Sequence, residues 1–192
     1  MKKTILLLLI IALAACSKQT TQPTIDKPDS YCKVGKDDCG SDPKEMYKIL
    51  IEDETFKPIS MQEAITLFQE EKSGFIYFGF SNCPWCYEAL PLMLKAAKDS
   101  EESIYYVQTR NDDRELMYTE EEKALILEYV KDYEDQDEEG NTHLYVPLIV
   151  KVENGKCVDG HLGTLDAHDA HERSMTEEEK MQLLAIYQDM FK

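Results

Sequence analysis

"FIYFGFSNCPWCYEALP", residues 75 to 91, sets two cysteines at the junction of two patterns. Residues 75–80, FIYFGF, form a short unbroken run of apolar and aromatic side chains, as in a strand buried on both faces. From Tyr87 to Lys98 the spacing becomes helical, with Leu90, Met93, Leu94 and Ala97 turned inward. Pro84 suits a first helical turn, and Pro91 should kink the helix that follows. Cys83 and Cys86 therefore fall where a strand gives way to a helix. Such a pair is open to three chemistries: thiol–disulfide exchange, half of a zinc site, or a structural disulfide.

The neighbouring elements read outward from that junction. "MYKILIED" (46–53) alternates enough to predict a first strand, and Ser60 with Glu63 forms a capping box that opens a helix over 61–72. "SIYYVQT" (103–109) predicts a central strand. Thr119 with Glu122 opens a helix to about Tyr133, and 134–143 is a solvated loop. "YVPLIVKV" (145–152), "ENGK" and "CVDGHLG" predict a hairpin. Thr176 with Glu179 starts a final amphipathic helix. The predicted order, β-α-β-α-β-α-β-β-α, is an α/β fold: a mixed β-sheet with helices on both faces, a closing β-hairpin and a C-terminal helix.

The start of the chain constrains the compartment. Lys2 and Lys3 precede an apolar or small run from Thr4 to Ala15, too short for the ~20 residues of a membrane span and suited to a secretory leader. Leu13-Ala14-Ala15-Cys16 resembles the lipobox of bacterial lipoproteins. That resemblance implies a signal peptide at 1–15, lipidation of Cys16, and a protein held on the extracytoplasmic face of the cell membrane. Residues 16–43 read as a tether, too poor in large apolar groups to offset the entropy of ordering. Residues 44–192 are one domain with an insertion around 109–143. A formal charge of −17 argues against nucleic acid and anionic lipid surfaces as partners. Outside the cytoplasm cysteines usually pair. Cys32 and Cys39 are candidates for a structural disulfide, with an auxiliary redox pair as the other reading. Cys157 is expected to pack as a small apolar side chain, or else to bond to Cys32 or Cys39.

Over roughly residues 44 to 191 the chain resembles the thioredoxin superfamily. The carriers are C-x-x-C after a buried strand, Pro91 five residues past the second cysteine, "VPLIVKVENGK", and Gly163 sixteen residues after Pro147. The resemblance implies a cis peptide before Pro147, with the backbone of Val146 offered to a partner chain beside Cys83. It also brings departures. The stretch from Cys86 to Pro147 is about twenty residues longer than in a minimal thioredoxin. Tyr77 stands where that family has a buried aspartate, and "TLDAHDAHERSM" (164–175) has no obvious counterpart.

A cysteine at a helix N-terminus meets free N–H groups and the positive end of the dipole, which favour its thiolate. Cys83 is therefore the expected attacking sulfur, at an accessible site, and Cys86 the more buried resolving one. Pro84 and Trp85 join Val146 and Pro147 as partner-binding residues, Trp85 as an apolar platform at the rim. No metal or cofactor is expected. A second C-x-x-C is lacking for zinc. His161, His168 and His171 read as a solvated loop. Asp135, Asp137, Glu139 and Gly140 lack the twelfth-position glutamate of a calcium loop.

The function expected is a thiol–disulfide oxidoreductase, a monomer acting on protein thiols and disulfides, with reductase or isomerase work favoured over oxidation. It would exchange electrons with a membrane thiol carrier or an oxidant. The alternative is a non-catalytic binding module, of the bacteriocin-transport-accessory kind, with Cys83–Cys86 as a fixed disulfide.

Overall fold

The computed structural model describes residues 42–137 and 139–192. The expected leader, Cys16, Cys32, Cys39 and the expected tether up to residue 41 lie outside the described residues. The chain enters the domain through a helix, not a strand. α1 spans Pro43–Ile51; the Asp42 side chain caps it by accepting from the Lys44 N–H, and Pro43 sits in its first turn, where a missing N–H costs nothing. Tyr47 and Leu50, three residues apart, are buried while Ile49 is 52% exposed, so burial here has helical period. The strand expected over 46–53 is thus corrected. Its apolar Ile49-Leu50-Ile51 triplet wraps round a helix end, and the first strand is β1, Phe56–Ile59. β1 lies at the sheet edge, the position that tolerates Pro58.

Next come α2 (Met61–Gln69), β2 (Gly74–Gly79), α3 (Pro84–Asp99), β3 (Ile104–Gln108) and α4 (Glu120–Val130), which runs into a 3-10 turn at Lys131–Tyr133. The hairpin strands β4 (Leu148–Glu153) and β5 (Lys156–Leu162) and the helix α5 (Glu177–Met190) complete the domain. α2, α4 and α5 start at the capping boxes of Ser60, Thr119 and Thr176, each with both reciprocal bonds made.

The sheet order is β1-β3-β2-β4-β5. β1, β3 and β2 run parallel, while β4 is antiparallel to β2 and β5 to β4. Asn154 and Gly155 turn the hairpin with φ of 50° and 71°, as a type I′ turn needs. A Cβ on Gly155 would also strike the Phe68 carbonyl. Successive side chains of β2 alternate between two cores. Ile76 and Phe78 join Leu148 and Val150 of β4, Ile65 and Phe68 of α2, and Ile126 of α4. Phe75 and Tyr77 face the opposite layer, where Phe75 packs on Phe191 at 4.4 Å between centroids and Tyr77 bonds to Tyr47. α3 packs between α1 and α5. Residues 75–78 are each at most 5% exposed, so β2 is buried on both faces, at about 1.5–3 kcal/mol for each large apolar side chain. The architecture is the thioredoxin-like α/β fold expected, preceded by one unforeseen helix. Among the described residues no helix is long and apolar enough to cross a membrane.

The expectation of a solvated histidine loop fails at His168. It is 6% exposed, with Nδ1 at 2.8 Å from Thr164 Oγ1 and Nε2 at 2.9 Å from the Arg173 carbonyl. Both nitrogens are engaged in holding the loop. Asp137 is likewise occupied: its carboxylate accepts from the N–H groups of Glu139 and Asn141 and pairs with His143 Nε2 at 2.7 Å. Among the described residues no group of three or more His, Cys, Asp or Glu side chains is placed to hold a metal ion.

Candidate active site

The parallel strands end at the edge where ligands meet such sheets, and β2 delivers the cysteine pair there. Cys83 is the N-cap of α3, with an extended backbone (φ −107°, ψ 116°). Its sulfur accepts from the Cys86 N–H at 3.3 Å. Pro84, half-buried, follows at the start of the helix, where it removes no needed donor. The Cys83 thiol is held below its ordinary pKa, first by a hydrogen bond from the Cys86 side chain, then by the N–H groups of Cys86 and Trp85 and by the charge of Arg114, against the opposing effect of burial. Cys86 moves the other way. Burial and the neighbouring Cys83 push it well up, partly offset by the Phe80 N–H and the Tyr77 hydroxyl. The two thiols are thus split in the sense that distinguishes an attacking sulfur from a resolving one.

Accessibility departs from expectation. Cys83 is only 4% exposed and Cys86 fully buried. Part of the cover is the Val146 carbonyl, which the Cys83 thiol approaches at 3.6 Å. The Val146–Pro147 peptide is cis, Pro147 is buried, and Val146 is half-buried. The Pro147 carbonyl accepts from the Gly163 N–H at 2.7 Å, so the distant glycine singled out in the sequence ties down this turn. Cys83, Cys86, Val146 and Pro147 are therefore brought together. Trp85 is half-buried, its ring edge-on to His171 at 4.6 Å, so the 164–175 segment reaches the cysteine pair. Cys157 on β5 packs against the core, and burial pushes its thiol up to about 12.

Several residues at the site escape local sequence reading. Arg114 reaches back from the insertion, donating to the Asn82 carbonyl at 3.2 Å. Its position depends on a small loop closed by the Arg110–Leu116 bridge, for which 109–116 carries no distinctive motif. Asp112 accepts from Ser81 Oγ and Lys48 Nζ, both at 2.8 Å, fastening the insertion and α1 to the approach of the cysteine motif. These bonds hold its carboxyl down to about 2. Tyr47 and Tyr106 were also missed: with Tyr77 they form a buried hydroxyl cluster beside Cys86. The cluster depends on Tyr47 of α1, a segment expected as a strand.

No family model and no curated protein matches the chain. Among solved structures it is similar to a thioredoxin from Plasmodium falciparum at 17% identity, over 58% of this chain and 89% of that one, with a TM-score of 0.35. The oxidised thioredoxin of the same organism, solved in solution, shares 16% identity over 69% of this chain and 97% of that one, with a TM-score of 0.36. A redox protein from Chlamydomonas reinhardtii shares 14% over 56% and 31%, with a TM-score of 0.34. The fold reading stands on the strand order and the site geometry, not on these likenesses.

Proposed function

We propose that this chain is a membrane-anchored, extracytoplasmic thiol–disulfide oxidoreductase that acts on protein disulfides through Cys83 and Cys86. One observation carries the reading. Cys83 caps α3 with its sulfur on a helix N–H and lies at 3.6 Å from the carbonyl of Val146 in a cis-proline turn. A partner strand laid along Val146 would exchange the sulfur–carbonyl contact for its own backbone bonds and bring its disulfide to Cys83. Cys83 attacks as the thiolate and forms a mixed disulfide; Cys86, one turn into α3, then displaces the partner sulfur. Trp85 and Pro84 flank the approach, and Pro147 fixes the direction of the Val146 carbonyl.

The anchor is assigned to Cys16 on the lipobox resemblance, with Cys32–Cys39 as a structural disulfide and the chain a monomer. Reduction or isomerisation is favoured, with electrons supplied by a membrane thiol carrier. Insulin reduction by dithiothreitol tests the reading. Wild type should accelerate it and Cys83→Ser should not, and equal rates would sink the enzyme. Titration against glutathione sets the direction: about −270 mV marks a reductase and about −120 mV an oxidase, whereas a value below about −300 mV would favour a fixed structural disulfide.

A further inference from the structure

Val146 stands between two ties. On one side the Pro147 carbonyl accepts from the Gly163 N–H at 2.7 Å. On the other the Tyr145 N–H donates to Glu134 Oε2 at 3.0 Å. Leu144 and Val146 pack against the core, while Tyr145 between them is 41% exposed. That alternation belongs to an extended segment. In such a segment the N–H and C=O of one residue share an edge, and those of its neighbours point to the opposite edge. The Val146 edge faces Cys83, whose thiol lies 3.6 Å from the Val146 carbonyl. Among the described residues the Val146 N–H has no partner. The Tyr145 N–H points to the other edge. β4 begins only at Leu148, and the acceptor that Tyr145 finds is a carboxyl, not a neighbouring strand.

Resting on the oxidoreductase reading above, we propose that Glu134 is a positioning residue for extended polypeptide partners. It occupies the back edge of residues 144–146 and so keeps the Val146 edge set to receive a partner strand beside Cys83.

The chain between Glu134 and Tyr145 is folded to deliver that carboxyl. Gln136 and Thr142 form an antiparallel bridge. Beyond it the Asp137 N–H donates to the Asn141 carbonyl at 3.0 Å, and the Gly140 N–H to the Asp137 carbonyl at 2.9 Å. The chain thus turns back and brings Glu134 to Tyr145. Glu134 Oε2 is taken by Tyr145, and Oε1 is buried with no partner among the described residues. A buried oxygen without a donor disfavours the charged form, and burial pushes the carboxyl up to about 8. At pH 7 it is mostly neutral and serves Tyr145 as an amide oxygen would. A leucine would fill the space without an unpaired oxygen, but it would leave the Tyr145 N–H unbonded. The Tyr145 bond, not packing, therefore accounts for a carboxyl here.

A segment already extended before the partner arrives has less ordering left to lose on binding. A polypeptide adding its backbone to the Val146 edge gains from this, as in other strand additions. A small disulfide, with no backbone to lay along Val146, gains nothing. Glu134 acts through Val146, so attack by Cys83 and resolution by Cys86 proceed as set out above.

Kinetics at pH 7 with two kinds of disulfide test the role. Glu134→Leu should raise KM for insulin about 3- to 10-fold, the worth of one net hydrogen bond, with kcat within about two-fold of wild type. Attack of the reduced variant on 5,5′-dithiobis(2-nitrobenzoate), a small disulfide, should also stay within about two-fold of wild type. Glu134→Gln keeps the acceptor and should restore the wild-type KM. An unchanged insulin KM in Glu134→Leu, an equal loss with both disulfides, or a KM in Glu134→Gln as high as in Glu134→Leu would overturn the role and leave the oxidoreductase reading standing. A wild type that reduces no insulin would overturn both. If Glu134→Leu does not fold, amide exchange in the wild type decides. The Tyr145 N–H should exchange ~10-fold or more slowly than the Val146 N–H, and equal exchange would overturn the role.

Discussion

Glu134 follows the 3-10 turn and supports the cis-proline turn from behind. Its Oε2 accepts the Tyr145 N–H at 3.0 Å, next to Val146, while Oε1 is buried with no partner. Burial pushes its carboxyl up to about 8 from an ordinary 4.5, against the lowering effect of that N–H. A raised folded-state pKa means that the folded protein holds the proton more tightly than the unfolded chain. Stability from this group is therefore full below about pH 4.5 and is lost as pH rises through about 8. At about 1.4 kcal/mol per unit, a shift from 4.5 to about 8 corresponds to roughly 5 kcal/mol. The side chain is partly open to water, so we expect about 3 kcal/mol after screening. Glu134→Gln keeps the acceptor for Tyr145 and cannot ionise. Urea denaturation at pH 5 and pH 8.5 should give nearly equal stabilities for the two proteins at pH 5, and an advantage of about 3 kcal/mol for the variant at pH 8.5. The other strongly shifted carboxyls are all lowered, Asp112 and Glu179 to about 2 and Asp137 further, by its bonds from His143 and Asn141. They lose their contribution only as pH falls below about 4, outside this window. A difference between Glu134→Gln and wild type that stays constant from pH 5 to pH 8.5 would refute the reasoning.

Two further outcomes follow from the same geometry. Arg114→Ala removes the one side-chain cation among the main influences on the Cys83 thiolate, so the pH profile of Cys83 alkylation by iodoacetamide should move upward while the circular dichroism stays unchanged. Gly79→Ala drives a methyl group into the Tyr77 hydroxyl; overpacking of this kind costs about 1–3 kcal/mol, to be read as a fall in urea midpoint at constant slope.

The parts of the fold written locally were legible. Three capping boxes, the buried run of β2, the Asn154-Gly155 turn and the helix after Cys83 each depend on residues a few positions apart. The first element was misread although its signals were present: Asp42 and Pro43 are an N-cap and a first-turn proline, and Tyr47 with Leu50 has helical spacing. The alternation of MYKILIED (46–53) masked them. His168, Arg114 and Glu134 were out of reach for another reason. Their burial or charge effect comes from partners on other elements or from folded loops, and a charged or histidine-rich segment carries the same composition whether it is solvated or folded back.

The same division runs through the candidate active site and separates its two cysteines. What lowers Cys83 is chiefly local: the Cys86 thiol and the first N–H groups of α3, supplied by any C-x-x-C that caps a helix. What surrounds Cys86 is assembled from α1, β2, β3 and α5. Substitutions in the motif should therefore act on attack, and substitutions in α1 and the sheet on resolution, although the sulfurs belong to one turn of one helix. Asp112 ties α1 to the loop before Cys83 through Lys48 and Ser81, so it holds the outer end of the hydroxyl cluster in register with the cysteine pair. An element outside the sheet thereby shapes the surroundings of Cys86. α1 supplies Tyr47, whose hydroxyl bonds with those of Tyr77 and Tyr106.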